Sequence, residues 1–436
     1  MIKTENKYLH KLLLIFLAFL GCQRFVLPSF YSFVCIIPFV FFLLKNHNLN
    51  YLIISLFLCV DNGAGVYSSS LGILRYGIIF ISLFFLIKNA NFSKERINIY
   101  LLIVTFFLFI TLLSFLRSIP FNVNQLIRDL EILLFFGLAF CTSISTNKTY
   151  IKIHELSFFF IWFAFFEIIN IIRYSNWPYL HYLSYDSSKS LIAIPIIYLF
   201  FKQRYLKLIP IFVPIFVVLI FYGSRIIILS LIILLLLYGL IRFVLKHKRN
   251  FFKAFFVFSL FVFLINYTRT NFKHIFDSNR ILHSIDNLFT HTSLSKLLIS
   301  LDKVRFYEYK LFFERDIFTI LFGSGLGTGI EDKKNYFSFV KTNQYAFHDF
   351  ELQSKLFFNF HDFFTDIGLR FGLVAVLMLF IIVIRYFYSS NPEKELFSFL
   401  ALFLLINCFY SLKGIYIIVI FLLIWKSTQK SRTVDI

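Results

Sequence analysis

Charge is what this sequence has least of. Asp, Glu, Lys and Arg make up 15% of its 436 residues, against 59% hydrophobic residues, 65 of them Phe alone. With a mean hydropathy of +0.79, the composition falls far outside that of soluble domains, and a soluble fold is excluded. Acid is the scarcer sign: 23 Asp and Glu stand against 43 Lys and Arg, a formal net charge of +20. That excess would suit nucleic acid, but here the basic residues gather at the ends of apolar runs, where membrane topology explains them. No nucleic-acid partner is expected. Cysteine is equally uninformative about partners. Cys22, Cys35, Cys59, Cys141 and Cys408 all lie in or beside apolar runs, without metal-ligand spacing, and read as small buried hydrophobes. His274, His283 and His291 fit no metal motif either. No metal and no cofactor are expected. Lys3, Lys7 and Lys11 precede the first apolar run with no small-x-small cleavage site after it, which reads as an uncleaved first span.

What the chain has instead is long apolar runs. A helix needs about 20 apolar residues to cross a bilayer. Runs fall near 12–27, 29–44, 51–66, 71–87, 98–116, 129–145, 154–172, 190–201, 206–222, 225–241 and 251–267, then near 365–385, 396–410 and 413–425. The run at 190–201 and the last two are short. The expected fold is all-α: a polytopic transmembrane helix bundle of 12–14 spans. A transmembrane barrel would show short alternating segments. Between the eleventh and twelfth spans lies one stretch too polar for the membrane, about 268–364. The chain therefore divides into N-terminal transmembrane helices (1–267), a large extracytoplasmic loop with amphipathic helices (268–364), and C-terminal helices with a basic tail (365–436).

Positive charge orients the bundle. With the N-terminus inside, the cytoplasmic connections hold Lys45, Lys88, Lys94, Lys148, Lys152, Lys202, Lys207, the cluster from Arg242 to Lys253, and the tail Lys426, Lys430 and Arg432. The short outer connections hold Arg24, Arg75, Arg117, Arg128, Arg173, Lys189, Arg225 and Lys413. The inner excess places both termini in the cytoplasm and the large loop outside. The outer set is dominated by Arg. Topology needs either cation, whereas planar bidentate binding of phosphate or carboxylate favours Arg. As a set these arginines point to an outward-facing anionic site. Individually they can equally be helix-end residues that snorkel.

Several short motifs could carry chemistry. Phe221-Tyr-Gly-Ser-Arg225 splits what would otherwise be one over-long apolar run, with Gly223 at the turn and Arg225 opening the next helix. Lys303-Val-Arg305 opens a segment in which Phe306, Tyr309, Phe312 and Phe313 recur at helical spacing, predicting an amphipathic helix. Arg305 and Glu308 are one turn apart there and can simply pair. Gly323-Ser-Gly325-Leu-Gly327-Thr-Gly329 alternates glycine and can cradle phosphate or serve as a flexible turn. It is neither of the common nucleotide loops. His361-Asp362 stands at the outer mouth of the next span, where a His can act as a general base on a hydroxyl.

In this order these features resemble the bacterial O-antigen polymerase and O-antigen ligase superfamily: Tyr-Gly-Ser-Arg225, Arg305, the glycine-alternating turn, and His361-Asp362 followed by Gly372-Leu. The resemblance implies metal-independent glycosyl transfer at the outer face of the bacterial inner membrane, from a glycan on undecaprenyl diphosphate. It implies Arg225 and Arg305 on the diphosphate and His361 as base or positioner for the acceptor hydroxyl. Arg75, Arg128, Gly325, Gly327, Asp362 and Arg370 are further expected substrate contacts. The sequence departs from the family pattern at Asp362, where Asn is usual, and at Arg370, where an acid is common. The phenylalanine- and isoleucine-rich chain and its span number favour a repeat-unit polymerase, with the lipid bilayer, lipid-linked oligosaccharide and a chain-length regulator as partners. The alternatives are the ligase and a non-enzymatic flippase or exporter. A flippase would concentrate ionisable residues at mid-membrane and show internal repeats. Here Glu167 is the clearest mid-span charge and no repeat is present. Polyprenyl-phosphate-sugar transferases carry an acidic pair in their first outer loop, but this chain has Leu27-Pro-Ser there and a lone Asp61 in the next one.

Overall fold

The computed structural model describes residues 2–23, 26, 30–44, 48–60, 68–89, 101, 105–106, 108–112, 116, 119–144, 152–174, 187–202, 205–221, 225–246, 303–340, 347, 349–361, 363–387 and 394–408. The expected spans near 251–267 and 413–425, and the boundary placed at 267/268, lie outside them.

Helices stand where the apolar runs predict them. They are α1 (Ile2–Gly21), α2 (Tyr31–Leu44), α3 (Leu49–Val60), α4 (Ser68–Asn89), α5 (Val123–Ile144), α6 (Ile153–Tyr174), α7 (Ile194–Phe201), α8 (Tyr205–Phe221) and α9 (Arg225–Lys246). After a gap follow α10 (Lys303–Phe313), α11 (Ile317–Phe322), α12 (Asp349–Ser354), α13 (Phe363–Phe387) and α14 (Lys394–Cys408). Among the described residues one stretch, Ile153–Arg173, is long and apolar enough to cross a membrane by length and composition. Shorter apolar stretches include Tyr31–Leu44, Leu49–Cys59 and Ile227–Gly239. The first helix starts ten residues earlier than its apolar run and ends at Gly21. Its charged N-terminal turns continue the same backbone, because lysine is a good helix former. A third of the short run at 190–201 belongs to a 3₁₀-helix over Ser187–Ala193, and the rest is α7.

The chain is not wholly α. Strands β1 (Ile330–Glu331) and β2 (Leu356–Phe357) pair antiparallel, Ile330 with Phe357 and Glu331 with Leu356. Phe121 and Thr328 form an isolated bridge. Two-residue strands carry no period-2 signal, which is why the sequence hid them.

The main core is apolar and runs through most of the helices, with α2 on α3, α1 on α6 and α4 on α5. At its centre Phe57 of α3 meets Phe159, Phe160 and Phe163 of α6 edge-on, at 6.4, 5.0 and 5.1 Å between ring centroids. Cys22, Cys35 and Cys59 are buried in the same core. Polar ties collect at its ends. The starts of α3 and α6 and the first half of α1 meet where Asn50 donates to Glu155 Oε2 (2.8 Å) and His10 contacts Glu155 (3.1 Å) and the Tyr51 hydroxyl (2.8 Å). A second polar set joins the starts of α4, α5 and α13. A smaller core of Leu311, Ile330, Phe337, Val340, Phe347, Phe357, Phe360 and Leu369 holds the segment between α10 and α13.

Candidate active site

Helix α10 is clamped from two sides. Leu311 enters the small core. Tyr309, Phe312 and Phe313 surround Phe364 of α13, at 5.9, 5.9 and 6.3 Å between ring centroids. Gly368 of α13 permits this approach: a β-carbon there would lie 2.9 Å from the Phe312 ring. The helix expected from the spacing is present, but its buried face is Glu308, Leu311 and Phe312, while Phe313 stays 52% exposed. A carboxylate on the buried face is the part that spacing alone did not suggest.

After α10 the chain turns at Arg315, and Asp316 caps α11 by accepting the Thr319 amide at 3.0 Å. The glycine-alternating run then enters the bundle, and Leu326 at its centre is fully buried in the main core. Its amides are committed to protein acceptors. Ser324 donates to Leu369 O (2.7 Å), Gly325 to Arg370 O (3.1 Å) and Gly329 to Pro120 O (2.9 Å). Leu326 donates to Thr111 Oγ1 (2.8 Å) and Gly327 to Asp129 Oδ2 (2.7 Å). Gly325 and Gly327 therefore build the seat of the site, and the phosphate-cradle reading of their amides does not fit this geometry. Gly323 and Gly372 are forced. Both have positive φ, at 84° and 75°. A β-carbon on Gly372 would fall 2.2 Å from Leu321 O, and one on Gly323 2.2 Å from Arg370 O. Gly372 interrupts α13, so the end of α11 docks into the break.

Two expected substrate contacts prove to be paired with acids of α5. Arg370 is 1% exposed. Its Nε meets Asp129, Nη1 donates to Asp366 Oδ1 (2.8 Å), and Nη2 donates to Phe358 O (2.8 Å). Instead of adding a cation to the site, it ties α5 and its own helix α13 to the residue that follows β2. Arg75 of α4 donates from Nη2 to Glu131 Oε2 at 2.8 Å. Asp129 and Glu131 are both fully buried. Sequence reasoning passed over them, although two acids at the start of an apolar run were the available signal: buried carboxylates require cations.

His361 lies just before α13, with its side chain 20% exposed, beside a fully buried Glu308 side chain. Its Nδ1 is 2.5 Å from Glu308 Oε1, and its backbone N–H donates to both Glu308 oxygens at 3.1 Å. The Phe347 ring packs edge-on against the imidazole at 4.9 Å. Glu308, which the sequence offered as a partner for Arg305, is thus committed to His361. Arg305 sits one turn before Glu308 on α10 and is half-buried. A further cation escaped notice in the sequence. Arg315 lies over the Phe312 ring at 4.3 Å, donates from Nη1 to Ser324 Oγ (3.0 Å) and from Nε to Phe312 O (3.2 Å). None of these partners is a carboxylate. Burial lowers its pKa to about 10, with Asp316 opposing; the guanidinium stays charged at neutral pH. Arg225 opens α9 and Arg128 lies on α5, but their side chains, and all of Asp362, lie outside the described residues.

The seat built by the glycine run, the clamped α10 and the His361 mouth are thus one continuous structure. Residues 210–380 match the family model of the O-antigen ligase. The match spans α8 through most of α13, and so contains the glycine turn, Glu308, His361 and Gly372. It is a similarity of this segment to that family, and it supports a place within the O-antigen polymerase and ligase superfamily. No curated protein and no solved structure matches the chain.

Proposed function

We propose that the chain is a repeat-unit polymerase for O-antigen or capsule. It transfers a glycan from undecaprenyl diphosphate to the acceptor sugar of a second lipid-linked unit at the outer face of the inner membrane. The observation that carries this reading is His361. It is a partly exposed imidazole held by a buried carboxylate, one helical turn from Arg305, inside the segment similar to O-antigen ligase. In the reaction, the acceptor oxygen bonds to the anomeric carbon and the bond from that carbon to the diphosphate oxygen breaks. The hydroxyl proton passes to Nε2 of His361. The diphosphate leaves with the bonding pair, and Arg225, Arg305 and Arg315 offset its growing charge. No step calls for a metal.

The reading keeps the chain multi-pass, with 12–14 spans, both termini cytoplasmic and residues 268–364 outside. The two polar sets support that alternation of sides, whichever side faces the cytoplasm. His10, Asn50 and Glu155, which charge assigns to the inner face, meet one another. Arg75, Asp129, Arg370 and the glycine turn, assigned to the outer face, form the other set.

Surface polysaccharide from a strain lacking the gene tests the function. The polymerase leaves core bearing a single repeat unit and no ladder. Bare core with long polymer accumulating on the lipid carrier means ligase, and bare core with single units confined to the cytoplasmic side means exporter. Complementation with R225A or R305A at normal protein level is expected to leave the ladder absent.

A further inference from the structure

We infer that Glu308 is a positioning residue for His361. It fixes the tautomer and raises the basicity of the imidazole that receives the acceptor proton. The inference rests on the glycosyl-transfer reading only for what the proton is used for. The pairing itself stands on geometry: a fully buried carboxylate on α10 aims both oxygens at one residue, 53 positions away in sequence, through the ring nitrogen and the backbone amide together.

Three consequences follow from that arrangement. With Nδ1–H donating to the carboxylate, the neutral imidazole carries its lone pair on Nε2. A negative charge at hydrogen-bond distance favours the imidazolium, so the ring accepts a proton more readily than it would alone. The backbone bonds and the edge-on Phe347 ring fix the ring plane, so Nε2 keeps one direction while substrates come and go. The other charged groups of the surrounding elements are already engaged or lie further along. Asp366 of α13 holds Arg370 and accepts the Phe360 amide, and Glu351 of α12 accepts the Phe358 amide. Arg305 shares α10, one turn away. Among the described residues, Glu308 is the carboxylate in hydrogen-bond contact with this histidine.

The test uses the purified full chain in lipid nanodiscs, as wild type, E308Q and E308D. The Gln variant keeps an oxygen for the backbone amide and removes the charge, so a purely structural anchor survives it. The first readout is independent of activity: the rate of diethylpyrocarbonate modification at His361, followed by mass spectrometry across pH. In E308Q the midpoint of that profile is expected to move to lower pH, and E308D is expected to restore it at least in part. The second readout is elongation of lipid-linked repeat units. E308Q is expected to lower kcat about 100-fold, the low end for loss of general-base assistance, with the KM for acceptor unchanged. A modification profile identical in wild type and E308Q overturns the inference. A shifted profile in a wild-type protein that elongates nothing supports the pairing and overturns the glycosyl-transfer reading instead.

Discussion

The bundle formed by α1 to α9 and the segment from α10 to the start of α13 are held together by different physics. In the bundle, most contact is made by rings and aliphatic chains, as where Phe57 meets three phenylalanines of α6, with separate polar ties such as Asn50 to Glu155 near helix starts and Arg75 to Glu131 between α4 and α5. In lipid the apolar surroundings offer no hydrophobic drive between helices, so such packing works by shape and dispersion. The segment from α10 to the start of α13 instead depends on directional bonds to buried charge, part of it on α5. Asp129 receives both Arg370 and the Gly327 amide, Asp366 receives Arg370, and Glu308 receives His361. A region packed by shape tolerates substitution of similar shape. A region packed by charge and backbone contact does not, and it holds its side chains in fixed directions, as a reactive site requires.

Substitutions can sharpen or break this contrast. The largest effect is expected for G372A, which places a methyl against the Leu321 carbonyl at a positive φ. It should cost about 3–5 kcal/mol, read as a fall in the thermal unfolding midpoint of the purified protein. Next comes D129N, nearly isosteric, which leaves Arg370 buried with one carboxylate fewer. A loss of about 3 kcal/mol is expected, and neutrality would show that the clasp is not held by charge. F57L, in the bundle, should cost only about 1–2 kcal/mol; a loss as large as that of D129N would erase the difference between the regions. The smallest effect belongs to the exposed rim. The Tyr336 hydroxyl and the Lys334 ammonium hold the Glu314 carboxyl below its usual range. That tie is present above the ordinary carboxylate range and is lost as pH falls through the lowered value. Proteolysis of the turn over 331–340 should therefore quicken slightly in acid, and E314Q should remove the dependence. The group's exposure keeps the effect small.

The same contrast explains what the sequence disclosed. Helices α2, α6 and α8 follow apolar runs closely, because run length is set locally by the need to satisfy the backbone within a helix. The site is assembled over distance. Gly327 finds its acceptor 198 residues away, Arg370 finds Asp129 across 241, and Glu308 finds His361 across 53. Spacing on one helix offered Arg305 as the partner of Glu308, and nothing local could have corrected that. The sequence offered the arginines of the expected outer connections as a set, but not which arginines acids would neutralise. Arg75 and Arg370 are paired with carboxylates, while Arg315, which no motif marked, touches a ring, a hydroxyl and a carbonyl. His361 was singled out by its residue type and its place before an apolar run, but its contact with Glu308 was not visible there.

As proposed, His361 carries the proton of a chain-lengthening glycosyl transfer. The most direct measurement is the length distribution of surface polysaccharide in cells whose copy of the gene encodes H361A at wild-type protein level. Core with a single repeat unit and no ladder is expected. A ladder of wild-type length would overturn that role for His361, and the site would then have to be sought elsewhere in the chain.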